Sequence, residues 1–416
     1  MKTARETLLS WIERDREAIV RFLSAFVAVP SANPPGDTRA AAGYLHDQIA
    51  AFGAPVAYRT AKPEWPNVTG SFACGGGPHL VLNGHIDVFP AGPAAAWSRD
   101  PWSGAVADGK VHGRGVVDMK CGTAASVFTY IYLHRLRQDL AGRLTLTCVS
   151  DEETGGTWGS KWLVDTFPEE FRGDCVLNGE PSTPATIRFG EKGTLRLVFE
   201  IDTPGAHAAY THMSHNAIRI AAGLVGDLYT LEGMAVRQPG DIRDAIEQAR
   251  PVMDEWLGQG AGAILDRVTV SAGVIEGGLK INVLPGHCRL EVDIRLPVGV
   301  THAMVMREVA MLLTRYPEVK LTPVWTHSAE PSVCDPNHRM VKILQSTVAG
   351  LTGRTPLPVV SLGATDCKHW RHRGVPAYVY GCTPNNMAKP DEWVDIEEYL
   401  HIVRTHALAA AAFLSR

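Results

Sequence analysis

The sequence predicts an α/β fold, a sheet with helices on both faces, interrupted by a smaller α+β domain. Three observations predict it. Short apolar runs alternate with longer helix-like segments in the first part of the chain. The middle changes to longer strands with in-and-out alternation. The first style then returns near the end. At 416 residues the chain is too long for one ordinary hydrophobic core, so more than one domain is expected.

In chain order, the first 26 residues carry charges every few positions. That pattern is expected of an amphipathic helix and not of a secretory signal. HLVLN (79–83), RLTLTCV (143–149) and DCVLN (174–178) read as buried strands, with helices expected over 121–139 and 158–166 between them. TLRLVFEIDT (194–203) opens the middle section, and 216–233 is a helix candidate. The stretch 234–264, with Pro239 and Pro251, reads as a loop-and-helix insertion. RVTVSAGVIEGG (267–278) and CRLEVDIRL (288–296) alternate as strands do, and 302–315 reads as a helix. VKLTPVW (319–325) and PAYVYG (376–381) resume the style of the larger domain. The expected boundaries are 1–186 and 304–416 for the larger domain and 187–303 for the insertion.

Apolar residues are 45% and charged residues 20% of the chain, which is ordinary for a globular protein. A net charge of −4 without a basic cluster gives no reason to expect a nucleic-acid or membrane partner. No apolar run reaches the length of a membrane span. The eight cysteines are scattered, with no C-x-x-C pair. Free, mostly buried thiols in a reducing cytoplasm are therefore expected.

Four motifs carry chemistry. In NGHIDVFP, His85 and Asp87 follow a strand directly, where α/β folds keep their sites. In GRGVVDMKCG, Asp118 follows a glycine-rich turn. In SDEETGG, Glu152 and Glu153 are adjacent acids at a strand end, able to divide ligation and proton transfer between them. In NGEP, Glu180 ends another strand. Taken singly, each has a plain alternative: a satisfied His–Asp turn, a helix N-cap at Asp118, or a solvated acidic loop. The order His, Asp, Glu-Glu, Glu, always at strand ends, points instead to a metal centre.

With these motifs, and with PGAHAAYTHMSHNAI, GGLKINVLPG, DIRLP and SLGATD, the chain resembles a family of metallopeptidases and amidohydrolases. That family is the acetylornithine deacetylase, succinyl-diaminopimelate desuccinylase and carboxypeptidase G type. The resemblance implies a zinc-aminopeptidase-like mixed sheet sandwiched by helices, with a ferredoxin-like lid and dimerisation domain inserted. It implies that His85 and Glu180 bind a first metal, that Asp118 bridges to a second, and that Glu153 binds the second. It makes Glu152 the general base and Asp87 the group that orients His85. In the lid, it gives His207 the role of stabilising the oxyanion and sets Asn282 and Arg295 against the substrate carboxylate. Thr365 in SLGATD stands at a further substrate position. The implied partners are a small-molecule substrate and a second copy of the chain, as a homodimer or larger homo-oligomer.

The chain departs from the family pattern in places. A late histidine, in a pattern H-x-x-N/D-E, normally closes the second metal site. Here Asp391 and Glu392 fit its end, but Ala388 stands at the histidine position. Either a single tightly held ion or a tight ion with a labile second one is then expected, with manganese or cobalt competing better with zinc. Cys382, His369 and Asn386 are substitutes that the sequence offers without placing them. The implied activity is hydrolysis of a C–N bond in a small carboxylate-bearing substrate, most simply the amide of an N-acyl amino acid or dipeptide. Two alternatives stay open: release of ammonia from an activated aryl amine such as 5-nitroanthranilate, and an inactive binding protein of the same fold.

Overall fold

A computed structural model describes residues 3–415. It divides into two compact units. The first extends to Phe189 and takes in Cys334–Val359 and the chain from Thr365; the second is Gly190–Val333 with Val360–Ala364. Among the described residues, no helix is long and apolar enough to cross a membrane.

The sheet of the first unit runs in the order Ala57–Thr60, Pro66–Ala73, Arg143–Val149, His79–His85, Cys175–Asn178, Ala377–Val379, Thr186–Glu191. The first three strands pair antiparallel, while those from Arg143–Val149 to Ala377–Val379 are parallel, so the sheet is mixed. The parallel strands are buried almost throughout. This is why their sequences read as continuous apolar runs: a parallel sheet is covered on both faces. On one side lies Cys121–Arg135, buried from Cys121 to Leu133, packed against Ile396–Phe413. Buried Ala407, Ala409 and Ala410 on the latter helix suit a close approach. Another part of the core joins Val81, Val149, Leu163, Val176 and Trp370. The amphipathic N-terminal segment is two helices, Ala4–Arg14 and Arg16–Val27. They part at Asp15, whose carboxylate accepts from Arg14 and from Tyr132 Oη; Met1 and Lys2 lie outside the described residues.

The second unit is built as strand, helix, strand, strand, helix, strand. Its strands are Gly193–Asp202, Thr269–Gly277, His287–Leu296 and Val319–Pro323, and its crossing helices Ala217–Leu228 and His302–Leu313. Written by their order in the chain, the strands lie side by side as second, third, first, fourth, all antiparallel. That is the ferredoxin-like arrangement. Buried Leu195, Leu197, Phe199, Leu290, Val292 and Ile294 supply every second position of the two central strands, which explains their alternation. The insertion contains the helix Gly240–Leu257, which includes Pro251.

One expectation changes here. The run at 319–325 reads like the larger sheet, and the expected insertion ends at 303. In the structure Val319–Pro323 pairs with Gly193–Asp202, so the second unit continues to Val333. The reason is topological. The fourth strand of this arrangement must return beside the first, and helix His302–Leu313 is its crossover.

Candidate metal centre

Parallel strands share an end, and that geometry assembles the site. His85 is level with Val149, and Asn83 with Asn178, so the loops after the three strands open on one edge. Those loops carry His85 to Asp87, Glu152 to Thr154, and Glu180. Asp118 arrives from the turn Val116–Lys120. Its backbone (φ −114°, ψ 96°) is not helical, and the N-cap position of the following helix is Lys120. The N-cap alternative for Asp118 therefore does not hold. Gly115, at φ +76°, is required in that turn, because a Cβ there would meet Val88 Cγ1 at 2.0 Å. Gly122 and Gly179 bring two backbones together: a Cβ on Gly122 would lie 1.9 Å from the Gly179 carbonyl oxygen. This contact sets the segment after Asp118 against the one before Glu180.

His85 is buried. Its Nδ1 lies 2.8 Å from the Asp87 carbonyl oxygen. Donation there leaves Nε2 as the free lone pair, the tautomer that a metal ligand needs. Nε2 is 3.1 Å from Asp118 Oδ1 and 3.3 Å from Glu180 Oε1. Two groups of donor atoms, each within 4.8 Å of one another, share this imidazole: His85 with Glu152 and Glu180, and His85 with Asp118 and Glu153. The five metal and base residues expected from the sequence thus come together. Glu152 stands close enough to ligate, so proximity alone does not distinguish a base from a ligand.

Burial dominates the electrostatics. It pushes the Glu180 carboxyl up to about 7, with Asp118 adding to the effect and His85 opposing it. Burial likewise raises Glu152 well above the ordinary range against the opposing charge of Lys368. Glu153 is raised by burial and by Asp118. For His85, burial disfavours the cation, but Glu180, Asp118 and Asp87 outweigh it and raise the pKa. Glu153 Oε1 is buried with no hydrogen-bond partner. Crowded, desolvated carboxylates with an orphaned oxygen are what a divalent cation would satisfy, so these residues fit one.

Asp87 is fully buried, and its carboxylate is 3.5 Å from His85 Nδ1 at the closest. It accepts from the backbone N–H of Glu152 (3.2 Å) and of Glu153 (3.1 Å). Its carboxylate therefore holds the acidic loop, while its carbonyl orients His85. Glu392 does similar work for the other loop. It accepts from Arg114 Nη1 (2.7 Å) and from the N–H groups of Gly115, Val117 and Asp118.

Of the substitutes for the missing histidine, neither Cys382 nor His369 enters a His/Cys/Asp/Glu donor group among the described residues. Cys382 is buried against Cys121, His369 lies 3.7 Å from Asp366, and Asn386 donates to the Asp391 carbonyl. Ala388 is exposed, with its carbonyl taken by Arg114. Thr365 is buried, and its hydroxyl accepts from Cys367 N–H at the start of a short helix. In the second unit, His207 and Asn282 meet. Ala206–His207 pairs with Val283–Leu284, and Ala208 N–H donates to the Asn282 carbonyl. Arg295 is set apart from them on His287–Leu296, where it donates to Asp293 at 2.7 Å.

Residues 81–412 match peptidase family M20/M25/M40, a span that holds every donor named above. The chain belongs to that family. It is accordingly a metallohydrolase, and its relatives act on amide bonds. A succinyl-diaminopimelate desuccinylase of Cereibacter sphaeroides is 29% identical over 342 residues, covering 78% of this chain and 82% of its own. The fold is similar to that of an M20 family metallo-carboxypeptidase from Sulfolobus solfataricus, with a TM-score of 0.81, 18% identity and coverage of 95% and 98%. Human carnosine dipeptidase 1 has a TM-score of 0.78 at 17% identity, with 99% of each chain covered.

Sequence reasoning missed the supporting groups. Lys368, almost buried, has Nζ 3.8 Å from Glu152 Oε1. Its only sequence signal is a cation beside the SLGATD motif. Asn33 bonds to the acidic loop and Asp87 from far along the chain, and no local pattern announces it; Glu392 fits the end of the late H-x-x-N/D-E pattern, but its bonds to the Asp118 turn are not part of that pattern.

Proposed function

We propose that the chain hydrolyses the amide bond of a small carboxylate-bearing compound, an N-acyl amino acid or a dipeptide. The observation that carries this reading is the sharing of His85 Nε2 between two groups of carboxylate donors, with Glu152 among them. Membership of a family whose relatives are desuccinylases and peptidases supports an amide as the bond cleaved.

In this reading His85, Asp118, Glu153 and Glu180 hold the metal. With one imidazole and otherwise oxygen donors, the set is hard, and manganese or cobalt competes with zinc. One ion would be held tightly, and a second, if bound, would be labile. A bound divalent cation supplies polarisation of the amide carbonyl and acidification of the attacking water. The Glu152 carboxylate accepts the water's proton and passes it to the leaving nitrogen. Asp87 fixes the backbone of Glu152 and Glu153, so the base need not reorganise during the step. Lys368 supplies a compensating charge beside Glu152.

The test combines metal analysis of gently purified protein with product analysis on N-acyl amino acids, dipeptides and an activated aryl amine, with and without added manganese. Metal-dependent release of a free amine and an acid supports the proposal. Ammonia from the aryl amine alone would replace it with the aminohydrolase reading. No turnover with any cation would leave a binding protein.

A further inference from the structure

We infer that Asn33 is a positioning residue for the general base, acting through both hydrogens of its side-chain amide. The inference rests on the reading of Glu152 as that base. Asn33 is 2% exposed and lies in the segment before the exposed Pro34 and Pro35. Its Nδ2 is 2.9 Å from Asp87 Oδ2 and 3.1 Å from Thr154 Oγ1. One planar NH2 group thus reaches two different loops.

The two partners are the two ends of one device. Asp87 accepts from the N–H groups of Glu152 and Glu153. Thr154 closes the same turn, with its hydroxyl donating to the Asp151 carbonyl at 3.3 Å. Asn33 therefore bonds to the turn at its far end directly and at its near end through Asp87. Glu152 and Glu153 lie between those anchors.

Asn33 is itself held firmly. Its backbone N–H donates to the Val88 carbonyl, Val88 N–H donates to the Ser31 carbonyl, and Ser31 Oγ donates to the Ile86 carbonyl at 2.6 Å. The amide is carried on a segment sewn to the strand end that bears His85. Chemistry selects the side chain. Aspartate has the same shape but no donor when ionised, and it would set a second negative charge against Asp87. Leucine has the shape without polarity. A serine hydroxyl offers one hydrogen where two are used.

The experiment compares Asn33→Ala, Asn33→Asp, Thr154→Val and Thr154→Ser with wild type and with Glu152→Gln, all as manganese-loaded full-length protein. The readouts are kcat and KM on a hydrolysed N-acyl amino acid and the thermal midpoint. The expected result is a 10- to 100-fold loss of kcat in Asn33→Ala, of the size typical for groups that orient a site from behind. KM should change less than threefold. Asn33→Asp should fall further, Thr154→Val should lose part of the rate, and Thr154→Ser should restore it. A purely structural role would lower the midpoint without this split between kcat and KM. The inference is overturned if Asn33→Ala and Thr154→Val keep kcat within threefold of wild type while Glu152→Gln loses at least 100-fold. If Glu152→Gln itself keeps its rate, the reading of the base fails instead. Should Asn33→Ala not fold, the contrast between Thr154→Val and Thr154→Ser decides: a difference upholds the inference and equality overturns it.

Discussion

Replacing Gly122 by alanine should pry apart the two backbone segments that carry Asp118 and Glu180. The added Cβ would stand 1.9 Å from the Gly179 carbonyl oxygen, where ordinary contact begins at 3.4 Å. The clash is with backbone on a buried strand end, which cannot swing aside as a side chain can. One segment must then yield by about 1 Å or more, a displacement that costs roughly 100-fold in rate when it falls on a reacting geometry. Overpacking of this kind costs about 1–3 kcal/mol of stability. Better helix propensity returns up to about 1 kcal/mol of that. Gly43 is the control, since it lies in the helix Arg39–Ala51 and a Cβ there meets nothing within 4 Å. Gly43→Ala should be neutral or slightly stabilising. The assay is urea unfolding with manganese affinity by chelator competition, followed by kcat. If Gly122→Ala kept the wild-type midpoint and metal affinity, the claim that this glycine contact sets the two donors would be refuted.

Three other expectations bear on the same chain. Glu152→Gln should bind metal and fold as wild type but lose about 100- to 10,000-fold in kcat with little change in KM; steady-state rates check this, and a variant retaining a tenth of the rate would exclude Glu152 as the base. Glu392→Ala leaves Arg114 buried without its carboxylate and frees the N–H groups of the Asp118 turn. A loss of about 3–5 kcal/mol is expected in denaturant titration, with manganese binding weakened as well. The last concerns acid. Burial pushes His401 and His406 down to about 4 from 6.5, so the unfolded chain takes up their protons first on acidification. Stability should fall as pH drops from 6.5 to 4, with this contribution lost in full below 4. The variant His406→Gln should show a smaller drop in urea midpoint between pH 7 and pH 5 than wild type; an equal drop would remove His406 from the account.

The candidate ligands His85, Glu152, Glu153 and Glu180 were legible in the sequence because they follow strands whose apolar runs are plain, and a parallel sheet gathers its strand ends on one edge. Asp118 was legible from its glycine-rich turn, although a helix start three residues later imitates an N-cap. What holds the donors in place was not legible. Asn33 sits in a proline-rich turn and meets Asp87, 54 residues on. Glu392 reads as the last residue of the H-x-x-N/D-E pattern, yet the turn it binds lies more than 270 residues earlier. Pairing across such distances leaves no periodicity to read. The misplaced run at 319–325 has the opposite cause. Its local pattern is that of any strand, and only the sheet order decides which domain owns it.

The bond from Glu392 to the Asp118 turn has a consequence for how the protein is made. Some 274 residues separate the two ends of that bond. At 5–20 residues per second, a ribosome needs roughly 15–50 s to travel between them. Throughout that interval the turn is already synthesised but has no clamp. The continuous stretch of the second unit, Gly190–Val333, emerges in the meantime. On the proposed reading, loading with a divalent ion would then wait until Glu392 has been made. A ribosome-stalled or truncated product ending before residue 392 should carry no firmly held ion.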